Sequence, residues 1–223
     1  MPTLLITLDA PMQSWGTRSR FDQRDTELEP SKSGVIGLLA AALGRPREAD
    51  VDDLATLRFG VRVDRAGTLA KDFHTAQNIL KADASGRQDT AVTERHYLAE
   101  AAFTAGLEGS DRQFLGHLHA ALQAPHWPLF LGRRSFPPGL PLVGDVERYV
   151  VDSPLMEALT TFPLRPLHGD APSAARACVL WLEHDAPTGH VRHDQPIDDF
   201  RRRGFGLRHV RREVCDVPVE VAA

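Results

Sequence analysis

Residues 3–8, Thr3-Leu4-Leu5-Ile6-Thr7-Leu8, barely alternate between apolar and polar, which predicts a strand buried on both faces. A polar stretch from Asp9 to Ser33 follows, too long for a simple connection and therefore a candidate functional loop. Residues 33–44 are apolar almost all round, with small residues at Gly34, Gly37 and Ala40 to Ala42. They predict a helix packed closely on a sheet, capped by Ser31 or Ser33, closed by Gly44 and stopped by Pro46. A short amphipathic turn at residues 50–57 precedes a strand in which Phe59, Val61 and Val63 alternate with Gly60, Arg62 and Asp64.

Residues 66–94 are polar. Asp72-Phe73-His74-Thr75-Ala76 and Thr93-Glu94-Arg95-His96-Tyr97 bracket this segment, either as two legs of a hairpin, the favoured reading, or as a source of a general base and an activated hydroxyl. Residues 95–107 alternate like a strand but have the Ala and Glu content of a helix, and pattern alone leaves both open. Ser110-Asp111-Arg112-Gln113 is a capping box for a helix with Phe114, Leu115, Leu118 and Leu122 on one face and Pro125 as its stop. Residues 127–131 predict another strand. If residues 95–107 are a strand, the order is β-α-β-β-α-β with an insertion, the ferredoxin-like arrangement of an α+β protein.

Beyond residue 131 the chain is proline-rich, with strands predicted at 177–182 and 207–214. Val217, Val219 and Val221 alternate around Pro218 as an edge strand would. This divides the chain into residues 1–135 and a smaller, β-rich lobe of residues 136–223.

Composition adds constraints. With 223 residues, 42% hydrophobic and 25% charged, the chain can bury enough surface to fold without disulfides. No apolar run approaches the roughly 20 residues of a membrane span. No basic residue precedes the first apolar stretch, so that stretch reads as a strand rather than a signal peptide. Cys178 and Cys215 are too few and too far apart in sequence for a zinc site or a disulfide framework, which fits a reducing cytoplasm. The net charge of −4 argues against nucleic acid, but all the basic residues except Lys32, Lys71 and Lys81 are arginines. Either a GC-rich genome or a role in pairing with phosphate accounts for that bias. Between Arg192 and Arg212, seven arginines stand against Asp194, Asp198 and Asp199.

No phosphate-binding P-loop, nucleophile elbow or dinucleotide fingerprint is present. His184, His190 and His193 match no zinc spacing and read as a solvated loop. Three segments carry anion-binding chemistry. Lys32-Ser33-Gly34 opens a helix, whose free N–H groups form a phosphate seat or an ordinary capped start. Gln13-Ser14-Trp15-Gly16-Thr17-Arg18-Ser19-Arg20-Phe21, with Arg24 beyond, interleaves aromatics and arginines. Its rings either stack bases or anchor the loop to the core. Gly132-Arg133-Arg134-Ser135 places two arginines beside a glycine, to grip phosphate or to bridge to acids.

Together the blocks Ala10-Pro11-Met12-Gln13-Ser14-Trp15-Gly16, Lys32-Ser33-Gly34 running to Gly44, Asp72-Phe73-His74-Thr75, Arg95-His96-Tyr97-Leu98 and Leu131-Gly132-Arg133-Arg134-Ser135 resemble Cas family five. In particular they resemble the CasD-type subunits of the type I-E CRISPR Cascade complex. The resemblance covers the chain from Leu4 to about Pro138. It implies a ferredoxin-like core, resembling an RNA-recognition motif, with residues 95–107 as a strand and a hairpin thumb around residues 77–92. It further implies a cytoplasmic, non-catalytic subunit in antiviral defence that binds the crRNA 5′ handle and caps the complex's backbone. Its partners would be the repeated backbone subunit, the large subunit and the target DNA held by the complex, with no cofactor and no metal. The implied RNA-binding residues are Gln13, Ser14, Trp15, Arg18, Lys32, Ser33, Gly34, His74, Arg95, Gly132, Arg133, Arg134 and Ser135. Other relatives imply an alternative, a metal-independent endoribonuclease recruiting His74, His96 and Tyr97. Many members carry Cys where Phe136 stands, which argues against a thiol role.

Overall fold

A computed structural model describes residues 1–18, 23–81, 83–166, 175–202 and 204–220. The chain builds a mixed α+β structure of two mostly antiparallel sheets and few helices. The larger sheet starts from Thr3–Asp9 (β1), whose residues 3–8 are all buried, as their continuous apolar pattern requires. Met12–Gln13 (β2) and Gln23–Arg24 (β3) belong to the smaller sheet. Lys32–Ala42 (α1) is capped by Ser31, whose hydroxyl accepts the Gly34 N–H at 3.2 Å. The short Asp52–Ala55 (α2) then leads into Arg58–Arg65 (β4).

Thr68–Leu80 (β5) and Arg87–Ala99 (β6) pair antiparallel along almost their whole length, so the two legs flanking the polar segment form a hairpin. This hairpin is longer than the thumb expected at residues 77–92. The segment 95–107, expected as one strand, is two. β6 ends at Ala99, Glu100 turns at φ +57°, and Ala102–Glu108 (β7) enters the larger sheet.

Arg112–Gln123 (α3) is capped by Asp111, not by Ser110, with the Asp111 carboxylate accepting the Phe114 N–H at 3.1 Å. Residues 127–131 are not a strand. Pro125 and Pro128 remove donors, and the His126 and Trp127 N–H groups bond the Ala42 and Ala41 carbonyls at the end of α1. After Val146–Tyr149 (α4), Val150–Val151 (β8) takes the edge place beside β1 instead. Leu155–Thr161 (α5) follows.

Ala175–His184 (β9) and Phe205–Pro218 (β11) contain the strands expected at 177–182 and 207–214. His190–Pro196 (β10), expected as a solvated loop, is a strand whose polar sequence hid it. The sheet order is β10-β11-β9-β4-β7-β1-β8, so residue 135 marks no break in the sheet and the C-terminal strands share the core. Cys178 and Cys215, distant in sequence, are cross-strand partners in β9 and β11 and are free thiols. Leu164 bridges Val219, while Val221 lies outside the described residues. Among the described residues, no helix is long and apolar enough to cross a membrane.

Both faces of the sheet are covered. A Cβ at Gly60 would touch Leu155, Leu159 and Leu182, so α5 lies on the Leu182 face. The next residue, Glu183, points to the other face and meets Lys32 of α1. Buried Arg62 fastens α5 down by donating to the Leu159 and Phe162 carbonyls, to Thr104 Oγ1 and to Asp64.

Candidate nucleic-acid interface

An open cleft of about 1260 Å³ runs along the exposed face of α1, larger than a typical small-molecule pocket. Its floor includes Gly34, Gly37 and Ala41, spaced along one side of the helix. Six arginines line it (Arg24, Arg45, Arg47, Arg95, Arg133 and Arg134), with Asp25 the only lining carboxylate among the described residues.

The arginines are held by local devices. Gly132 sits at φ +90°, and a Cβ there would lie 1.6 Å from the Ser14 carbonyl oxygen, so only glycine lets the chain pass. Ser14 N–H bonds Leu131 O, Leu131 N–H bonds Phe136 O, and Phe136 N–H bonds Arg133 O, closing a turn that presents Arg133 and Arg134. The Arg133 guanidinium donates to His96 O at 2.6 Å and lies 5.4 Å from the Phe136 ring centre. Arg95 is braced by Thr93 Oγ1 at 3.0 Å, and parallel pairing of β3 with β6 sets Arg24 beside it. Burial first, and the charge of Arg95 next, lower the Arg133 pKa below its ordinary value, with Arg24 adding to the repulsion. Three guanidiniums are therefore gathered together, their mutual repulsion partly offset by Asp72 and Asp25.

The other expected site residues divide sharply. Gln13, Ser14 and Trp15 are buried and act as anchors. Gln13 Nε2 donates to Leu8 O and Ala101 O, its Oε1 accepts the Trp15 indole N–H at 3.1 Å, and Ser14 Oγ donates to His96 O. Trp15 packs so tightly on Gly34 that a Cβ there would sit 2.9 Å from the indole. Of the rings in that loop, Phe21 lies outside the described residues, as does Arg20.

Lys32 is a correction. It is 1% exposed and paired with Glu183 at 3.0 Å, so it cannot meet a phosphate. Burial lowers its pKa, with Glu183 pulling the other way. The phosphate seat at the start of α1 is also taken, because Asp194 accepts the Lys32 N–H at 2.7 Å while holding Arg208 at 2.6 and 2.9 Å. Ser33 and Gly34 remain half-exposed on the cleft floor. Arg18 and Ser135 are exposed but do not line the cleft.

His74 is exposed on β5 and paired with Asp72. The hairpin register puts Asp72, His74, Thr93, Arg95 and Tyr97 on one face, and Lys71, Phe73, Glu94 and His96 on the other. Tyr97 meets Phe136 at 5.8 Å, which turns the first face towards the Arg133 turn. His74 and His96 thus point to opposite sides, each beside a carboxylate of its own strand, and do not form one acid–base pair.

Several lining residues had not been foreseen. Arg45 and Arg47 follow α1 as a basic pair, a signal available in the sequence. Trp127, Phe130, Phe200 and Phe205 come from distant segments and carry no shared sequence signal.

An α+β sheet protein with a polycationic, aromatic-lined cleft is the class that this geometry defines. Residues 3–211 match the family model for CRISPR-associated protein (Cas_Cas5), and the chain belongs to that family. It is 34% identical over 155 residues to the CRISPR system Cascade subunit CasD of Escherichia coli (strain K12), covering 62% of this chain and 68% of that protein. A solved structure described as "Crystal structure of Cas protein" is 44% identical, with a TM-score of 0.78 and 98% of both chains covered. A chain of a "CRISPR RNA-guided surveillance complex" is 37% identical, with a TM-score of 0.81, covering 97% of this chain and 91% of that one.

Proposed function

We propose that this chain is a non-catalytic subunit of a Cascade-type CRISPR surveillance complex, and that its cleft holds the single-stranded 5′ handle of the crRNA. An unpaired handle can be splayed, so its phosphates and bases are gripped separately. The observation that carries this reading is the convergence of Arg24, Arg95 and Arg133, with Arg134 beside them, in a cleft lined by one carboxylate among the described residues. A phosphate among these guanidiniums relieves their repulsion and forms bidentate, charge-assisted bonds.

The path β1-α1-β4-β7-α3-β8, with strand order β8-β1-β7-β4, supports a ferredoxin-like core resembling an RNA-recognition motif. The β5–β6 hairpin inserted between β4 and β7 is the thumb in this reading. The chain caps the complex's backbone, meeting the repeated backbone subunit and the large subunit while target DNA is held by the whole assembly. The opposed orientations of His74 and His96 favour holding RNA over cleaving it. The complex works in the cytoplasm.

Fluorescence anisotropy with a single-stranded oligoribonucleotide carrying the 5′ repeat tag tests the reading. Arg24→Ala, Arg95→Ala and Arg133→Ala should each weaken binding and flatten the logarithmic salt dependence by about 0.7. Unchanged affinity and slope in all three would overturn it.

A further inference from the structure

The cleft contains rings as well as charges. Trp127 is 50% exposed, an unusual state for the largest apolar side chain, and Phe205 is 37% exposed in the same cleft. Trp127 is not a loose surface residue. Its N–H bonds Ala41 O at 3.3 Å and that of His126 bonds Ala42 O at 2.9 Å, tying the segment to the end of α1. The His126 ring stands edge-on to the indole at 4.7 Å and 85°, bracing it. Phe200 packs on Gly37, with its ring 3.7 Å from where a Cβ would lie, and so adds a partly buried ring to the floor.

We propose that Trp127 is a stacking platform for an unpaired nucleobase, several nucleotides away along the strand whose phosphates Arg95 and Arg133 hold. This proposal rests on the RNA-holding reading and adds a subsite to it. Gly34 packs on Trp15, whose neighbour Ser14 abuts Gly132 beside Arg133, whereas the Ala41 carbonyl accepts the Trp127 N–H. Seven residues of helix at about 1.5 Å each separate Gly34 from Ala41 by about 10 Å. A stacked strand advances about 3.4 Å per nucleotide, so the base on Trp127 lies about three nucleotides from the phosphate at Arg133. Stacking needs no hydrogen-bond code, so this subsite contributes affinity and strand register. A docked protein is the other occupant an exposed tryptophan can serve, but Arg24, Arg95, Arg133 and Arg134 against Asp25 among the described lining residues favour a polyanion.

The test compares the full chain with Trp127→Ala and Trp127→Phe, using the same 5′-tag oligoribonucleotide and a version with abasic sites scanned along it. Trp127→Ala should bind about 10-fold more weakly with an unaltered salt slope, because no phosphate contact is lost, and Trp127→Phe should restore most of the affinity. One abasic position should weaken the wild type while leaving Trp127→Ala unaffected. Emission should be quenched on binding, and that quenching should disappear in Trp127→Phe, which keeps Trp15 and Trp181. If the wild type binds RNA in a salt-dependent way but Trp127→Ala binds equally well, the stacking proposal is overturned and the ring is assigned to protein docking. If the wild type does not bind the RNA at all, the RNA-holding reading itself fails.

Discussion

Asp194 Oδ2 accepts the backbone N–H of Lys32 at 2.7 Å across 162 residues of sequence. The positive end of α1 is thus answered by a carboxylate of the chain's own β10, which also neutralises buried Arg208. With Lys32 paired to Glu183, two ion pairs weld the C-terminal strands to the first helix. Asp194→Ala should leave Arg208 buried without its partner and destabilise the protein by about 3–5 kcal/mol, measured by urea denaturation. A loss below about 1 kcal/mol would mean that water replaces the carboxylate.

Gly132→Ala should be among the most damaging single-methyl changes in the chain. The added carbon overlaps the Ser14 carbonyl, and φ +90° is strained for alanine. The turn must move, and with it Arg133 and Arg134. RNA affinity should fall at least 10-fold and stability by about 2–3 kcal/mol. Anisotropy and thermal melting check both.

Arg134→Ala separates binding from folding. Arg134 is exposed and makes no ion pair among the described residues, so its removal should change stability by less than about 0.5 kcal/mol. The same variant should lose RNA affinity and about 0.7 of the salt slope. An affinity equal to wild type would remove Arg134 from the interface.

The Arg45–Asp53 pair, with contacts of 2.6 and 2.5 Å, holds the cleft wall beyond α1. The hydrogen bond from Arg45 is the main cause that lowers the Asp53 pKa below 3.8. The native state therefore binds fewer protons than the unfolded chain just below pH 3.8, and stability falls as the pH drops through that region. Above pH 3.8 the contribution is fully present. Asp53 is exposed, so the effect is at most about 1 kcal/mol. Wild type and Asp53→Asn should differ near pH 6 and converge near pH 2 in denaturant titrations.

Local pattern carried much of the fold. The continuous apolar run of β1, the capped helices and the hairpin legs are nearest-neighbour properties, and each appears where its residues predicted. Errors arose where long-range pairing overrode local preference. Residues 127–131 looked like a strand, but the Trp127 N–H was claimed by the end of α1 and the Leu131 N–H by the Phe136 carbonyl. Polar β10 looked like a loop, but Asp194 and Arg192 find buried or half-buried partners there in Arg208 and Glu29.

The sequence by itself determined that an arginine-rich chain carries helix, strand and hairpin segments in the order of the Cas5 family, because apolar spacing and motif order are written along the chain. Only the tertiary structure decided which cations face solvent. Lys32 and Arg133 look equally suited to phosphate in one dimension, yet Glu183 from β9 buries the first, while Gly132 and Ser14 hold the second at the cleft. The physical reason is that a charge's availability depends on desolvation and on partners more than a hundred residues away, and neither is a property of its neighbours in sequence.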